Sequence, residues 1–176
     1  MRERTIGLIV GGPGSGKSTL ARRFIAAARN RGERIRIVDP ARQFAGGVMP
    51  GDVDAYLGER RAARDVDFIV LDDADAYVPT TLKAGSNLRD LALRNRWWGV
   101  DVLLTARRLQ SLPPLLLSAV SHLWVFRLSP ADKVGRERLV EVAGEGLAIP
   151  SEPYRFVHVD VFGGQHKPGR TSKGGG

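Results

Sequence analysis

Residues 11–19 read GGPGSGKST and fit the pattern G-x-x-x-x-G-K-S/T, a glycine-rich loop that wraps phosphate groups. The context also fits, because an apolar run at residues 6–10 predicts a strand before the loop and residues 17–31 predict a helix after it. Glycine tolerates torsions that a Cβ atom disfavours, so successive N–H groups can turn inward at the positive end of the helix. We expect phosphate contacts from Gly12, Pro13, Gly14, Ser15, Gly16, Lys17, Ser18 and Thr19.

Two residues of this loop have separate predicted roles. Lys17 is expected to reach the β- and γ-phosphates of a nucleoside triphosphate. Ser18 is expected to place its hydroxyl on Mg²⁺, which bridges the same phosphates. The loop therefore predicts a nucleoside triphosphate and Mg²⁺, and we take ATP and Mg²⁺ as the expected cofactors.

Strands and helices alternate along the rest of the chain, as is typical of a parallel sheet covered on both faces. The predicted strands are residues 6–10, 35–39, 68–72, 102–106, 123–127 and 156–161. The predicted helices are residues 17–31, 53–63, 86–97, 114–121 and 130–142, with loops at 45–51 and 79–85. This order indicates an α/β fold of three layers with a mainly parallel central sheet.

The domain prediction is one nucleotide-binding domain over residues 1–162, followed by a basic, flexible tail over residues 163–176, where the apolar pattern ends. The chain has no Cys, which excludes thiolate ligands and a thiol nucleophile. No apolar run is long enough to span a bilayer, and the N-terminal segment is not typical of a signal peptide. We therefore expect a cytoplasmic nucleotide site.

The net charge of +8, from 27 Lys and Arg against 19 Asp and Glu, favours a polyanionic partner such as a nucleic acid. The predicted tail carries Lys167, Arg170 and Lys173 and has no acidic residue. It either steers DNA or is simply a solvated end.

A second motif is FIVLDD at residues 68–73, an apolar strand that ends in two carboxylates. Ligands of open parallel sheets gather at the carboxyl ends of strands, so this is typical of a Walker B strand. Asp72 is the candidate metal-side carboxylate. Asp73 is the candidate for orienting the attacking water. The alternative for each is a cap of the following turn.

Polar residues also flank the next predicted strand. Thr105 and Arg107 lie at its end and are candidate sensors of the γ-phosphate, although Arg107 can equally face solvent. Arg94 and Arg96 end the helix before it. Either is a candidate arginine finger that completes the site of a neighbouring subunit, the alternative being a helix end that faces DNA or solvent.

The order of these motifs resembles the FtsK–HerA class of P-loop ATPases, and most of all the genome-packaging ATPases of icosahedral viruses with an internal membrane. The resemblance extends from about residue 5 to about residue 168. Its specific part is the spacing between Asp72–Asp73, Asn95–Arg96 and the strand ending at Arg107, followed by Leu112–Pro113. Members usually carry Glu where Asp73 stands, Gln where Arg107 stands, and often an acidic residue near Gln43.

The resemblance implies a RecA-like sheet, double-stranded DNA as the substrate and a homo-oligomeric ring, either a hexamer or a pentamer. It also implies partners at the capsid vertex or among membrane-associated virion proteins, and a location in the host cytoplasm and at the packaging vertex. The sequence thus favours an ATP-driven DNA translocase. Two other functions stay open: a small nucleotide or metabolite kinase, and a morphogenesis or secretion ATPase of related fold.

Overall fold

The computed structural model describes residues 4–172, which form an eight-stranded mixed sheet with helices on both faces. The strands are β1 (Ile6–Val10), β2 (Ile35–Val38), β3 (Gly47–Val48), β4 (Phe68–Leu71), β5 (Asp101–Ala106), β6 (His122–Phe126), β7 (Arg155–Asp160) and β8 (Gln165–Arg170). The helices are α1 (Lys17–Asn30), α2 (Val53–Ala63), α3 (Asn87–Trp98), α4 (Pro114–Ser118) and α5 (Lys133–Ala143), with 3-10 turns at Ala74–Ala76 and Leu109–Ser111.

The strand order is β3-β2-β4-β5-β1-β6-β7-β8, in which β1 to β6 are parallel and β7 and β8 are antiparallel additions. Parallel strands need crossovers, and the crossovers here carry the helices. The sequence prediction of an α/β fold with a mainly parallel central sheet is confirmed.

Side chains of successive strand residues point to opposite faces, and this alternation separates two apolar layers. Ile9 of β1 packs with α1 through Ile25, on one face of the sheet. Its neighbours Leu8 and Val10 belong to a larger core on the other face. There they are covered by α2 to α5, whose buried residues include Leu57, Leu91, Leu116 and Leu139. The three predicted layers are therefore present.

The sheet order brings the carboxyl ends of β1, β4 and β5 side by side. Val10 of β1 is in register with Ala106 of β5, and Leu71 of β4 is in register with Leu104. The backbone N–H of Gly11, the first residue of the phosphate loop, donates to the carbonyl of Ala106 at 3.2 Å. The loops that follow these three strands consequently lie next to one another, at the carboxyl ends of the strands.

The predicted flexible tail at residues 163–176 is wrong for residues 165–170, which form β8 and pair with the whole of β7. The hairpin turn is held by the N–H of Gly163, which donates to Asp160 Oδ1 at 2.9 Å. Pro168 has no backbone N–H to donate, and it is tolerated because β8 is an edge strand. Backbone pairing therefore extends the domain past residue 162. Lys173 and residues 174–176 lie outside the described residues.

Smaller differences have local causes. The predicted loop at 45–51 contains the two-residue strand β3. Helix α5 begins at Lys133 and not at residue 130, because Asp132 accepts from the N–H of Gly135 at 2.9 Å and caps the helix there. No helix between residues 4 and 172 has the length and apolarity needed to cross a membrane.

Candidate active site

The phosphate loop connects β1 to α1 through backbone torsions that only glycine adopts easily. Gly14 has φ +67° and Gly16 has φ +110°. A Cβ atom on Gly16 would also lie 2.8 Å from Thr171 Oγ1 and 3.0 Å from a ring carbon of Phe126. Pro13 and Gly14 are exposed at the tip of the loop, and Gly12, Ser18 and Thr19 are half-buried.

Two side chains of the loop fit a bound anion. Ser15 is buried, and its Oγ has no hydrogen-bond partner among the described residues. Lys17 is also buried, and its Nζ donates to the carbonyl of Gly12 at 3.3 Å, across the loop. Burial lowers the pKa of Lys17, while the Asp73 carboxylate acts in the opposite direction. A buried ammonium and an unpaired hydroxyl are both satisfied by phosphate oxygens.

Asp72 lies directly after β4 and is 1% exposed. Each of its oxygens accepts from a different part of the chain. Thr105 Oγ1 donates to Oδ1 at 2.7 Å, and Gln43 Nε2 donates to Oδ2 at 2.6 Å. Burial raises the pKa of Asp72, and the hydrogen bonds from Thr105 and Gln43 oppose that rise. A buried carboxylate with fixed orientation, together with the Ser18 hydroxyl, is a donor set that suits Mg²⁺.

Asp73 has left-handed torsions, with φ 46° and ψ 46°. Its backbone N–H donates to Thr105 Oγ1 at 2.8 Å, so one buried hydroxyl joins both carboxylate residues. Its carboxylate accepts from Arg107 Nη2 at 2.5 Å. Asp75 accepts from the backbone N–H groups of Arg107 and Arg108 at 3.0 and 3.2 Å, which holds the end of β5 against the turn after β4.

The structure thus brings five of the predicted site residues together: Lys17, Asp72, Asp73, Thr105 and Arg107. The charges of Asp72, Asp73 and Arg107 all act on Lys17, as expected for groups around one site. Thr105 is fully buried, and its hydroxyl contacts Asp72 and the backbone N–H of Asp73.

Arg94 and Arg96 lie elsewhere. They line a cavity of about 670 Å³ together with Ile6 and Ser121, at the amino ends of β1 and β6. Helix α3 ends beside the start of β5, and the six residues of β5 separate that point from the phosphate loop by roughly 17 Å. Within one chain the two arginines are therefore not part of the phosphate-loop site.

Sequence reasoning gave no role to Gln43, although the family resemblance places an acidic residue near it, and it gave none to Asp75. Gln43 belongs to the loop between β2 and β3, and β2 is the neighbour of β4 in the sheet. Ligands gather at the carboxyl ends of strands, and β2 is one of these strands, so this rule could have indicated that the loop after β2 lies near the site. No local motif marks Gln43 or Asp75.

The family model of the methylmalonyl Co-A mutase-associated GTPase MeaB matches residues 2–89, which are 88 of the 176 residues. The chain belongs to this P-loop NTPase family. The matched half contains the phosphate loop, Asp72 and Asp73 and extends into α3. No curated protein matches the chain significantly.

Several solved structures have a similar fold and cover most of this chain. The genome packaging NTPase B204 from Sulfolobus turreted icosahedral virus 2, in complex with AMPPCP, has a TM-score of 0.75 at 16% identity, over 96% of this chain and 98% of that one. EssC (ATPases 2 and 3) from Geobacillus thermodenitrificans has a TM-score of 0.61 at 16% identity, over 89% of this chain and 37% of that one. The N-terminal domain of zonular occludens toxin from Neisseria meningitidis has a TM-score of 0.56 at 13% identity, over 97% of this chain and 95% of that one.

These likenesses confirm the fold that the FtsK–HerA resemblance implies. Together with the family match they identify a nucleotide-binding P-loop NTPase. Lys17, Ser18 and Asp72 lie in the elements that give this class its chemistry.

Proposed function

We propose that the protein is an ATP-driven translocase of double-stranded DNA that packages a viral genome. The observation that carries the enzymatic part is the arrangement of Lys17, Asp72, Asp73 and Arg107 where the phosphate loop meets the ends of β4 and β5. Two carboxylates beside a buried lysine suit hydrolysis of a phosphoanhydride.

Each residue has a role in this proposal. Lys17 and the loop N–H groups bind the phosphates, and Ser18 and Asp72 hold Mg²⁺. The metal, when bound, neutralises charge that develops on the phosphate oxygens. Asp73 orients the attacking water and accepts its proton. Arg107 holds Asp73 in place and carries the positive charge that a γ-phosphate attracts, so it links the carboxylate to the nucleotide.

The DNA part of the proposal has different support. The net charge of +8 suits a polyanion, and the chain shares its fold over nearly its full length with a protein described as a genome packaging NTPase. EssC, described as an ATPase, and zonular occludens toxin have a similar fold and are not described as packaging proteins, so the secretion or morphogenesis ATPase stays as the second candidate.

The nucleotide is a separate question. The MeaB match favours GTP as the alternative substrate to ATP. For the kinase alternative, the segment between β5 and β6 is a single 3-10 turn and the five-residue helix α4, which leaves little chain there for a lid over an acceptor.

We also propose a homo-oligomeric ring, hexameric or pentameric, in which Arg94 or Arg96 enters the site of a neighbouring subunit. Their distance from the phosphate loop of their own chain suits a role in trans. In a virus, the ring would dock at the capsid vertex or on membrane-associated virion proteins, in the host cytoplasm.

The test measures phosphate release from ATP and from GTP, each with and without double-stranded DNA, alongside phosphate transfer to nucleoside monophosphates. We expect ATP hydrolysis that DNA stimulates and that Lys17→Ala abolishes, because several kcal/mol of transition-state stabilisation are lost. Transfer to a monophosphate would identify a kinase. Hydrolysis that DNA leaves unchanged would support the secretion or morphogenesis candidate, and a preference for GTP would overturn the choice of nucleotide.

A further inference from the structure

Gln43 is a neutral side chain placed directly on the metal-side carboxylate. Its amide Nε2 lies 2.6 Å from Asp72 Oδ2, while Thr105 donates to the other oxygen. The two donors come from separate elements, the β2–β3 loop and β5. Together they prevent the carboxylate from rotating, and each oxygen keeps a further lone pair for other partners.

The position of Gln43 does not depend on Asp72 alone, because the loop has its own anchors. Asp39 Oδ2 accepts from the N–H of Phe44 at 2.7 Å, and the ring of Phe44 is buried under α1. Arg22 Nη2, on α1, donates to the backbone carbonyl of Gln43 at 3.3 Å. Helix α1 also holds the loop through Arg29 Nη2, which donates to the carbonyl of Ala45 at 2.6 Å. The amide of Gln43 is therefore delivered to Asp72 by a loop that is already fixed against α1.

We propose that Gln43 is a positioning residue, which holds Asp72 in the orientation that receives Mg²⁺ and so sets how strongly the metal enhances nucleotide binding. The inference rests on the proposed function, since it assumes a metal–nucleotide complex at this site. Partners that orient metal ligands commonly change metal affinity about 10- to 100-fold when they are removed. Binding of nucleotide without metal depends on the phosphate loop, which Gln43 does not touch in the described contacts.

The experiment uses two variants of the full chain and one control. Gln43→Met keeps the length of the side chain and removes the donor, and Gln43→Ala removes both. Gln165→Met is the matched control, because Gln165 is an exposed residue of β8. Affinity for a fluorescent ATP analogue is measured in EDTA and over a range of Mg²⁺ concentrations. Binding in EDTA also reports that each variant is folded.

We expect the half-saturating Mg²⁺ concentration to rise about 10-fold or more in both Gln43 variants. Affinity in EDTA should stay at the parent value, and Gln165→Met should match the parent throughout. Unchanged Mg²⁺ dependence in either variant overturns the inference. Equal losses with and without metal also overturn it, because Gln43 would then only support the loop. If the parent itself shows no Mg²⁺ enhancement, the metal site of the proposed function has failed, a result distinct from failure of Gln43 alone.

Discussion

Thr105→Val should destabilise the protein far more than its small change in shape suggests. Thr105 is fully buried, and its hydroxyl donates to Asp72 Oδ1 and accepts from the N–H of Asp73. Valine occupies nearly the same volume, so the packing of β5 is kept. What is lost is the one group that joins the two carboxylate residues.

The magnitude follows from the two hydrogen bonds. A hydrogen bond to a charged acceptor contributes about 1.5–3 kcal/mol, and a buried donor left without a partner costs about 1–3 kcal/mol. Asp73 is only partly buried, so its N–H contributes at the low end. We expect a loss of about 3 kcal/mol in the free energy of unfolding, which leaves a domain of typical stability folded.

Urea unfolding, followed by the fluorescence of the three tryptophans, measures this loss. Thr105→Ser is the matched control, since it keeps the hydroxyl and removes one methyl group at a cost of about 1 kcal/mol. The effect should also depend on pH. Burial raises the pKa of Asp72 in the folded state above the ordinary value of an aspartate, so ionisation of Asp72 disfavours folding. Removing the Thr105 donor raises that pKa further, so the loss should be larger at pH 7 than near pH 2, which lies below the ordinary pKa of an aspartate and where Asp72 is therefore protonated in both states.

Two results would refute this reasoning. One is a Thr105→Val protein whose stability equals that of the parent at pH 7, which would mean that the hydroxyl holds neither residue. The other is a Thr105→Ser protein as unstable as Thr105→Val, because the loss would then come from packing.

Three other predictions test separate parts of the structure. Asp73→Asn should bind ATP and Mg²⁺ normally but hydrolyse ATP at least ~100-fold more slowly, because the amide cannot accept a proton from water; a full rate in phosphate-release assays would move that role to another residue. Arg94→Ala or Arg96→Ala subunits, mixed with Lys17→Ala subunits, should recover part of the ATPase activity that each protein lacks alone; mixed rings without recovery would exclude a role in trans. The pKa of Asp67 is lowered to about 2, chiefly by its hydrogen bonds with the side chain of Arg34. Asp67→Asn should therefore lower the urea midpoint at pH 7, and the difference from the parent should vanish as pH falls from about 4 through about 2; a constant difference across that range would argue against this pairing.

The phosphate loop and the Asp72–Asp73 strand end could be predicted because their chemistry is local. An apolar run, glycines at set spacings and a following helix are all contained in residues 6–31. The same holds for the carboxylates at the end of residues 68–73. The strand β8 could not be predicted, because its exposed residues carry no apolar pattern and its stability comes from pairing with β7.

The sequence by itself therefore determined the class of fold, the loop that binds phosphate and the pair of acidic residues beside it. Only the tertiary structure decided which other side chains serve those residues. It placed Gln43 and Thr105 in contact with Asp72 and paired Arg107 with Asp73. It put Arg94 and Arg96 at the amino ends of the strands, away from the phosphate loop. The contacts of Asp72 join residues about 30 positions apart in the sequence. The length of β5 separates the two arginines from the phosphate loop. Both the contacts and this separation depend on strand order and register, which no local pattern of residues encodes.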